Sequence, residues 1–363
     1  MLDSRPREEI TMKPSANRSL ISRFVRENAT TMTLATIFMA VLAVFGLILG
    51  DRLLSVGTFQ SIAFQTPELG ILGLAMMLAL LSGGLNLSII STANLCALTI
   101  ASVLQFTIPW GDAGSVLWLT WQVGAVAAGL AVAILIGLLN GFIIAYLGVS
   151  PILATLGTMI ACKGLAIGLT RGNVLSGFPD PIVAIGNGTY LGVPLAFLLF
   201  VALCVFVSVV LRRSSFGQKV YLVGANEKAA QFSGIHVKRV LLLTYALSGA
   251  LAGCGGLVMM ARFNSANASY GESFLLISIL AAVLGGINPY GGTGKVSGLF
   301  AALLLLQLIS SAFNLMNFSQ FLTIAIWGAL LIGVSALRSG TGIFDRLHLF
   351  EFWRAKSAVS ENP

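Results

Sequence analysis

Seven stretches of more than twenty residues in this chain contain no Asp, Glu, Lys or Arg: 28–50, 69–111, 113–162, 181–211, 240–261, 273–294 and 296–337. A helix that crosses the hydrocarbon core of a bilayer needs about 20 apolar residues. The runs of 43, 50 and 42 residues therefore hold two crossings each, and the other four hold one. The expected spans are 32–50, 61–82, 86–106, 117–144, 151–170, 192–211, 240–261, 273–287, 297–315 and 319–337. In lipid every backbone polar group needs a partner within the protein, and the α-helix supplies one residue by residue. The fold class is an all-α polytopic membrane protein with about ten transmembrane helices. The eighth span is short and ends in Gly285-Gly286, so it reads either as a full crossing or as a half-helix.

Composition excludes the soluble classes. Charged residues are 9% of the chain, against about 25% in a typical soluble protein. The AVILMFWYC set reaches 57%, and the mean hydropathy is +0.93. A globule of this size has too little interior to hide so much apolar surface. A soluble enzyme, a nucleic-acid binder and a disordered chain are ruled out. The net charge of +8 is no nucleic-acid signal, because the basic residues sit in the connections.

Their distribution orients the chain. With ten spans, seventeen of the 21 Lys and Arg fall on one side: six before the first span, six between the sixth and seventh, four after the tenth, and Lys295. The opposite side holds only Arg52, Arg171 and Arg262, and Lys163 lies inside the fifth span. The positive-inside rule puts both termini in the cytoplasm. The first apolar run is too long for a cleaved signal peptide. The chain divides into a basic cytoplasmic tail, 1–31, a transmembrane domain, 32–337, and a cytoplasmic C-terminal tail, 338–363. In the first tail Leu20, Ile21, Phe24 and Val25 share one face of an interfacial helix over 18–27 that lies against membrane lipid. The segment around Phe344, Leu347, Phe350 and Trp353 has the same character. Cys96, Cys162, Cys204 and Cys254 lie within apolar spans and read as small packing residues.

Several chemistries lack residues. His236 and His348 both fall in cytoplasmic segments, so neither builds a membrane-embedded metal site or proton relay. None of the thirteen acids is expected near the bilayer midplane, which argues against proton coupling; Glu68 comes nearest, in the outer part of the second span. Sodium coupling stays open, because backbone carbonyls bind Na⁺. Gly292-Thr-Gly-Lys295 is not a phosphate-binding loop, since Pro289 and Val296 occupy two required positions. No catalytic and no metal-ligating residue is expected, and any driving energy comes from another subunit.

Two features rise above the apolar background. Ser82-Gly-Gly-Leu-Asn-Leu-Ser88 and Leu284-Gly-Gly-Ile-Asn-Pro-Tyr290 echo each other, each closing a span with Gly-Gly-x-Asn. Paired glycine breaks in two halves point to a binding or gating region of a transporter. On that reading Gly83, Gly84, Gly285 and Gly286 are gating glycines. Asn86, Ser88, Ser91, Asn94 and Asn288 then line a translocation path. The alternative is a pair of turns whose asparagines cap the next helix.

The second feature is the loop 212–239, the longest polar segment between spans. Asn226 is a good N-cap, Glu227 suits the positive helix end, and Gly234 is placed to terminate at C′. A helix of about two turns results, and Ala229, Ala230 and Ser233 give it a slim side for a groove of another protein. G-x-x-x-G spacings at Gly137/Gly141, Gly164/Gly168, Gly249/Gly253 and Gly294/Gly298 permit close helix approach, within the chain or between copies.

The motifs Gly83–Ser88, Gly224–Ile235 and Tyr245–Gly253 resemble the permease of bacterial ABC monosaccharide importers, of the ribose, xylose, arabinose and galactose type. Ala261-Arg262, Leu284–Gly286 and Gly291–Gly298 continue the resemblance, which covers most of residues 60–337. It implies a ten-helix subunit similar to the vitamin B12 importer permease, in a bacterial inner membrane. The implied partners are a second permease subunit, identical or paralogous, a cytoplasmic ABC ATPase that binds ATP and Mg, and a periplasmic sugar-binding protein. By the same resemblance Gly224, Asn226, Glu227, Ala229, Ala230, Ser233 and Gly234 belong to the coupling segment that receives the ATPase's motion. The family commonly has an acid where this chain has Asn86, a second acid near Phe274–Leu276, and alanine near Ser278. The expected function is import of a small sugar or polyol driven by ATP hydrolysis on the partner. The alternatives are a sodium-coupled secondary transporter and a non-transporting scaffold subunit.

Overall fold

The computed structural model describes residues 29–107 and 116–339. The expected interfacial helix at 18–27 and the tail beyond 339 lie outside them. Helices account for nearly everything described: α1 (Ala29–Leu49), α2 (Asp51–Leu54), α3 (Val56–Leu81), α4 (Ile89–Thr107), α5 (Val116–Leu147), α6 (Pro151–Thr170), α7 (Asp180–Asn187), α8 (Leu195–Arg213), α9 (Ser215–Ala225), α10 (Glu227–Phe232), α11 (Val237–Phe263), α12 (Phe274–Leu284), α13 (Val296–Leu315) and α14 (Gln320–Ser339). Ten of these fall on the ten expected apolar segments. Seven are long and apolar enough to cross a membrane; α4, α12 and α14 carry shorter apolar stretches.

Boundaries move where local chemistry dictates. Helix α3 starts at Val56, five residues before the expected span, because the Ser55 hydroxyl accepts the Thr58 amide at 3.2 Å and caps it. Glu68 is thereby the thirteenth of 26 helical residues, deeper than expected. Its carboxylate is buried and meets the Arg262 guanidinium at 2.9 Å. Helix α4 starts at Ile89, leaving 82–88 outside any helix. Helix α12 has only eleven residues, about 16 Å at 1.5 Å per residue, roughly half of a ~30 Å hydrocarbon core.

The inner helices are α3, α4 and α11. From Leu69 to Leu81 helix α3 is buried on every side, as an apolar helix surrounded by others should be. Helix α11 crosses α5 with backbone against backbone: a side chain at Gly137 would run into the Tyr245 carbonyl, and one at Gly249 into the Ala133 carbonyl. Three of the G-x-x-x-G pairs are thus spent inside the chain, since Gly294 also packs on Ile287 and Gly298 on the Gly285 carbonyl. A Cβ at either Gly164 or Gly168 on α6 would meet nothing within 4 Å beyond its own helix. Helix α1 is peripheral and leans on α13 through Leu34, Ala302 and Leu305.

One end of the bundle carries α9 and α10. The other carries α7 and two short antiparallel ladders, β1 (Leu175–Ser176) with β4 (Ser265–Ala266), and β2 (Thr189–Tyr190) with β3 (Val193–Pro194). Asn187 Nδ2 ties this end down by donating to the carbonyls of Ala261 and Arg262, at 3.1 Å each.

Candidate functional site

The segment 82–88 leaves the helical path at Gly83, whose φ of +86° suits glycine. It places Asn86 among buried polar groups from four helices. Asn86 Nδ2 donates to Ser248 Oγ at 2.9 Å, and Ser248 Oγ donates to the Ala75 carbonyl at 2.8 Å. Asn86 Oδ1 accepts from the Ser88 hydroxyl at 2.8 Å and from the Ser88 amide at 3.2 Å. Asn140 Nδ2 donates to Ser88 Oγ at 2.8 Å, and Thr158 Oγ1 donates to Asn140 Oδ1 at 2.7 Å. All these side chains are buried. Every member has a partner, which is the condition under which buried polar groups are tolerated. The network ties the non-helical segment, which would otherwise be loose, to α3, α5, α6 and α11.

Two turns further along α4 the surroundings change. Ser91 and Asn94 line a cavity of about 500 Å³ between α4, α6 and the segment leading into α12. Asn94 is 2% exposed. Its Nδ2 donates to the carbonyls of Ala268 and Tyr270, at 3.0 and 2.9 Å, and so holds the irregular backbone before α12. Its Oδ1 is buried and has no partner among the described residues. Ser91 Oγ donates to the Ser88 carbonyl at 3.0 Å. Lys163 and Glu272 also line the cavity and form an ion pair at 2.8 Å, with side chains 42% and 55% exposed. The hydrogen bond from Lys163 holds the Glu272 carboxyl below its usual range, against the opposing effect of burial.

The glycine breaks converge at the end that bears α9. Gly224, on the last turn of α9, lies so close to the Leu81 carbonyl that no side chain fits, and a Cβ there would stand 2.7 Å from the Gly292 amide. The Gly292 amide itself donates to Leu81 O at 3.0 Å. Tyr221 Oη donates to the Gly294 carbonyl at 2.9 Å. Burial pushes the Tyr221 phenol up, so it stays a donor. Gly285 is buried against the backbone of Leu299 at the start of α13, and Gly286 turns the chain with φ +91°. Asn288 is half-buried and caps its own turn: its Oδ1 accepts the Tyr290 amide at 3.1 Å. Of the five polar residues expected along a path, Ser91 and Asn94 line a cavity, Asn86 and Ser88 face each other, and Asn288 serves its turn.

Loop 212–239 contains the expected short helix. Asn226 Oδ1 accepts the Ala229 amide at 2.9 Å, and Glu227 is in the first turn. Gly234 has φ +79°; its amide donates to Gln231 O at 3.0 Å and the next, Ile235, to Ala230 O at 3.1 Å, an end that favours glycine. Ala230 faces inward, whereas Ala229 and Ser233 are exposed and Phe232 is 93% exposed. Helix α9 was not expected. Its signal is Ser214, whose hydroxyl accepts the Gly217 amide at 3.0 Å, followed by the buried Val220 and Val223 three residues apart. The Lys163–Glu272 and Glu68–Arg262 pairs also escaped sequence reasoning, being 109 and 194 residues apart.

Known proteins resemble this chain over most of its length. Residues 58–335 match the family model described as branched-chain amino acid transport system / permease component. The autoinducer 2 import system permease protein LsrD of Salmonella typhimurium (strain LT2) is 32% identical over 323 residues, 86% of this chain and 92% of that protein. Its counterpart from Enterobacter sp. (strain 638) is 33% identical over 316 residues, 85% of this chain and 92% of the relative. That of Yersinia enterocolitica is 32% identical over 331 residues, 89% and 94%. No solved structure matches.

Proposed function

The chain belongs to the branched-chain amino acid transport system / permease component family, and on that premise we propose that it is the membrane permease subunit of an ABC importer for a small sugar or polyol. The relatives are permeases of an import system named for autoinducer 2, and they lend the sodium-coupled alternative no support. The chain crosses a bacterial inner membrane ten times with both termini in the cytoplasm, α12 being the shortest crossing element. It works beside a second permease subunit. A cytoplasmic ATPase binds ATP and Mg²⁺, and a periplasmic binding protein delivers the solute.

One observation carries the reading. Helix α10 presents Phe232 almost wholly to water, and the adjoining α9 is fixed through Gly224 against the ends of α3 and the turn before α13. An apolar side chain of that size gains about 2 kcal/mol on burial, so α10 is built to seat in a groove of a partner. A push on α10 then passes through Gly224 of α9 to Gly83 and to Gly291-Gly292, main chain against main chain. The helices tilt against those of the second subunit, and the central path opens to the other side of the membrane.

Gly234→Arg tests this. The substitution puts a Cβ and a long charged side chain on a left-handed backbone at the docking surface. The expected outcome in reconstituted importer is intact insertion with ATP hydrolysis no longer tied to uptake. Wild-type coupling in that variant removes α10 from the mechanism. Phe232→Ser provides the companion measurement: less ATPase should stay bound on purification in gentle detergent.

A further inference from the structure

The cavity beside Asn94 has the chemistry of a solute site rather than a packing defect. Its volume, about 500 Å³, lies within the range of small-molecule pockets. Apolar side chains form much of the wall, among them Ile90, Met159 and Leu275. The polar groups fall into an uneven set. Asn94 Oδ1 is a buried acceptor without a partner among the described residues. Ser91 Oγ donates its hydrogen bond to the Ser88 carbonyl and keeps its lone pairs as acceptors. Glu272 is a carboxylate. Against these three acceptors stands one donor group, the Lys163 ammonium, already bonded to Glu272 at 2.8 Å. An unpaired buried acceptor is costly unless something donates to it, and a wall rich in acceptors selects a ligand rich in O–H donors. The two charges cancel, so neither a net anion nor a net cation gains by entering.

Resting on the permease reading above, we propose that this cavity is a solute subsite for a neutral polyhydroxylated molecule, with hydroxyl groups donating to Asn94 Oδ1, Ser91 Oγ and Glu272, and Lys163 donating to a ring or hydroxyl oxygen. The C–H faces of the same molecule lie on the apolar wall. Lys163 and Glu272 meet across α6 and the start of α12, so a solute that inserts between them also loosens the contact between those two elements.

Helix α6 offers a test that spares the fold. Gly164 lines the cavity, and a Cβ there meets nothing within 4 Å. Gly164→Leu fills the space while improving helix propensity. Gly168, one turn on, is equally open but outside the cavity, so Gly168→Leu is the control. The complete importer, purified with its ATPase and binding protein, would be reconstituted in vesicles and assayed for ATP-dependent uptake of labelled ribose, xylose, galactose, xylitol and leucine. The expected result is uptake of at least one polyhydroxylated probe and not of leucine. In Gly164→Leu that uptake falls at least tenfold with subunit stoichiometry and ATP hydrolysis retained, and in Gly168→Leu it stays within about twofold of wild type. Wild-type uptake in Gly164→Leu overturns the subsite. Import of leucine alone, or of none of the probes by a complex that holds its ATPase, overturns the ligand class. A wild-type chain that retains no ATPase instead defeats the permease reading.

Discussion

Two polar regions lie within ten residues of each other along the chain, and they are finished differently. Around Asn86 each side chain of the network has a partner: Asn86, Ser88, Asn140, Thr158 and Ser248 bond to one another, and Asn86 and Ser88 are not among the residues that line the cavity beside Asn94. Around Asn94 the amide nitrogen is fully used while the oxygen is left over, beside about 500 Å³ of space. The same residue type thus closes one region and leaves the next open. A satisfied network fixes geometry; an unsatisfied acceptor beside a cavity reserves a bond for something that arrives later.

Unfolding by a denaturing detergent ranks the two regions. Asn140→Leu should cost the most, about 2–3 kcal/mol, because Ser88 Oγ and Thr158 Oγ1 both lose a bond inside the protein. A loss below about 0.5 kcal/mol would show that the closed network is not a stabilising one. Asn94→Leu comes next, about 1–2 kcal/mol, since the carbonyls of Ala268 and Tyr270 lose their donor; unlike Asn140→Leu, it should depress uptake more than stability.

Glu272→Gln is smaller, under about 1 kcal/mol, because the pair is half exposed. Its sign with pH is fixed by the lowered carboxyl. The contribution is complete above the ordinary Glu range near 4.3 and disappears as pH falls through the folded-state value. Wild type and Glu272→Gln should therefore differ at neutral pH and converge in acid. A difference that persists in acid would detach it from the Lys163 bond. Ser91→Ala closes the series, within about 0.5 kcal/mol: the Ser88 carbonyl it serves also accepts the Thr92 amide at 2.8 Å. A cost as large as that of Asn140→Leu would erase the distinction between the regions.

Much of this architecture is legible in the order of residues, for local reasons. Charge-free runs mark where helices run, because each segment must exclude ionised groups on its own. Asn226 and Gly234 announce the two ends of α10, because caps act within four residues. The shortness of α12 is visible as a run closed by Gly285-Gly286. What escapes is whatever depends on partners far along the chain. Nothing near Lys163 indicates Glu272, and nothing near Glu68 indicates Arg262. Asn86 and Asn94 read alike, since what distinguishes them is supplied by α5, α6 and the segment before α12. Helix α9 was hidden for a different reason. Its flanking basic residues made the loop look uniformly polar, although Ser214 and the Val220/Val223 spacing carried the signal.

The seam between α5 and α11 has a consequence for how such a molecule can move. Where Gly137 meets Tyr245 and Gly249 meets Ala133, main chain rests on main chain. A joint of that kind contains no rotamers to exchange, so it has no second arrangement of similar energy to slip into. Those two helices travel as one solid piece. Hinge motion belongs elsewhere, at the connection from α5 to α6, where Gly148 has φ +70° and a Cβ would meet nothing within 4 Å. The machine has a chassis and a joint, and a glycine marks each: crowded where nothing yields, uncrowded and outside any helix where something must.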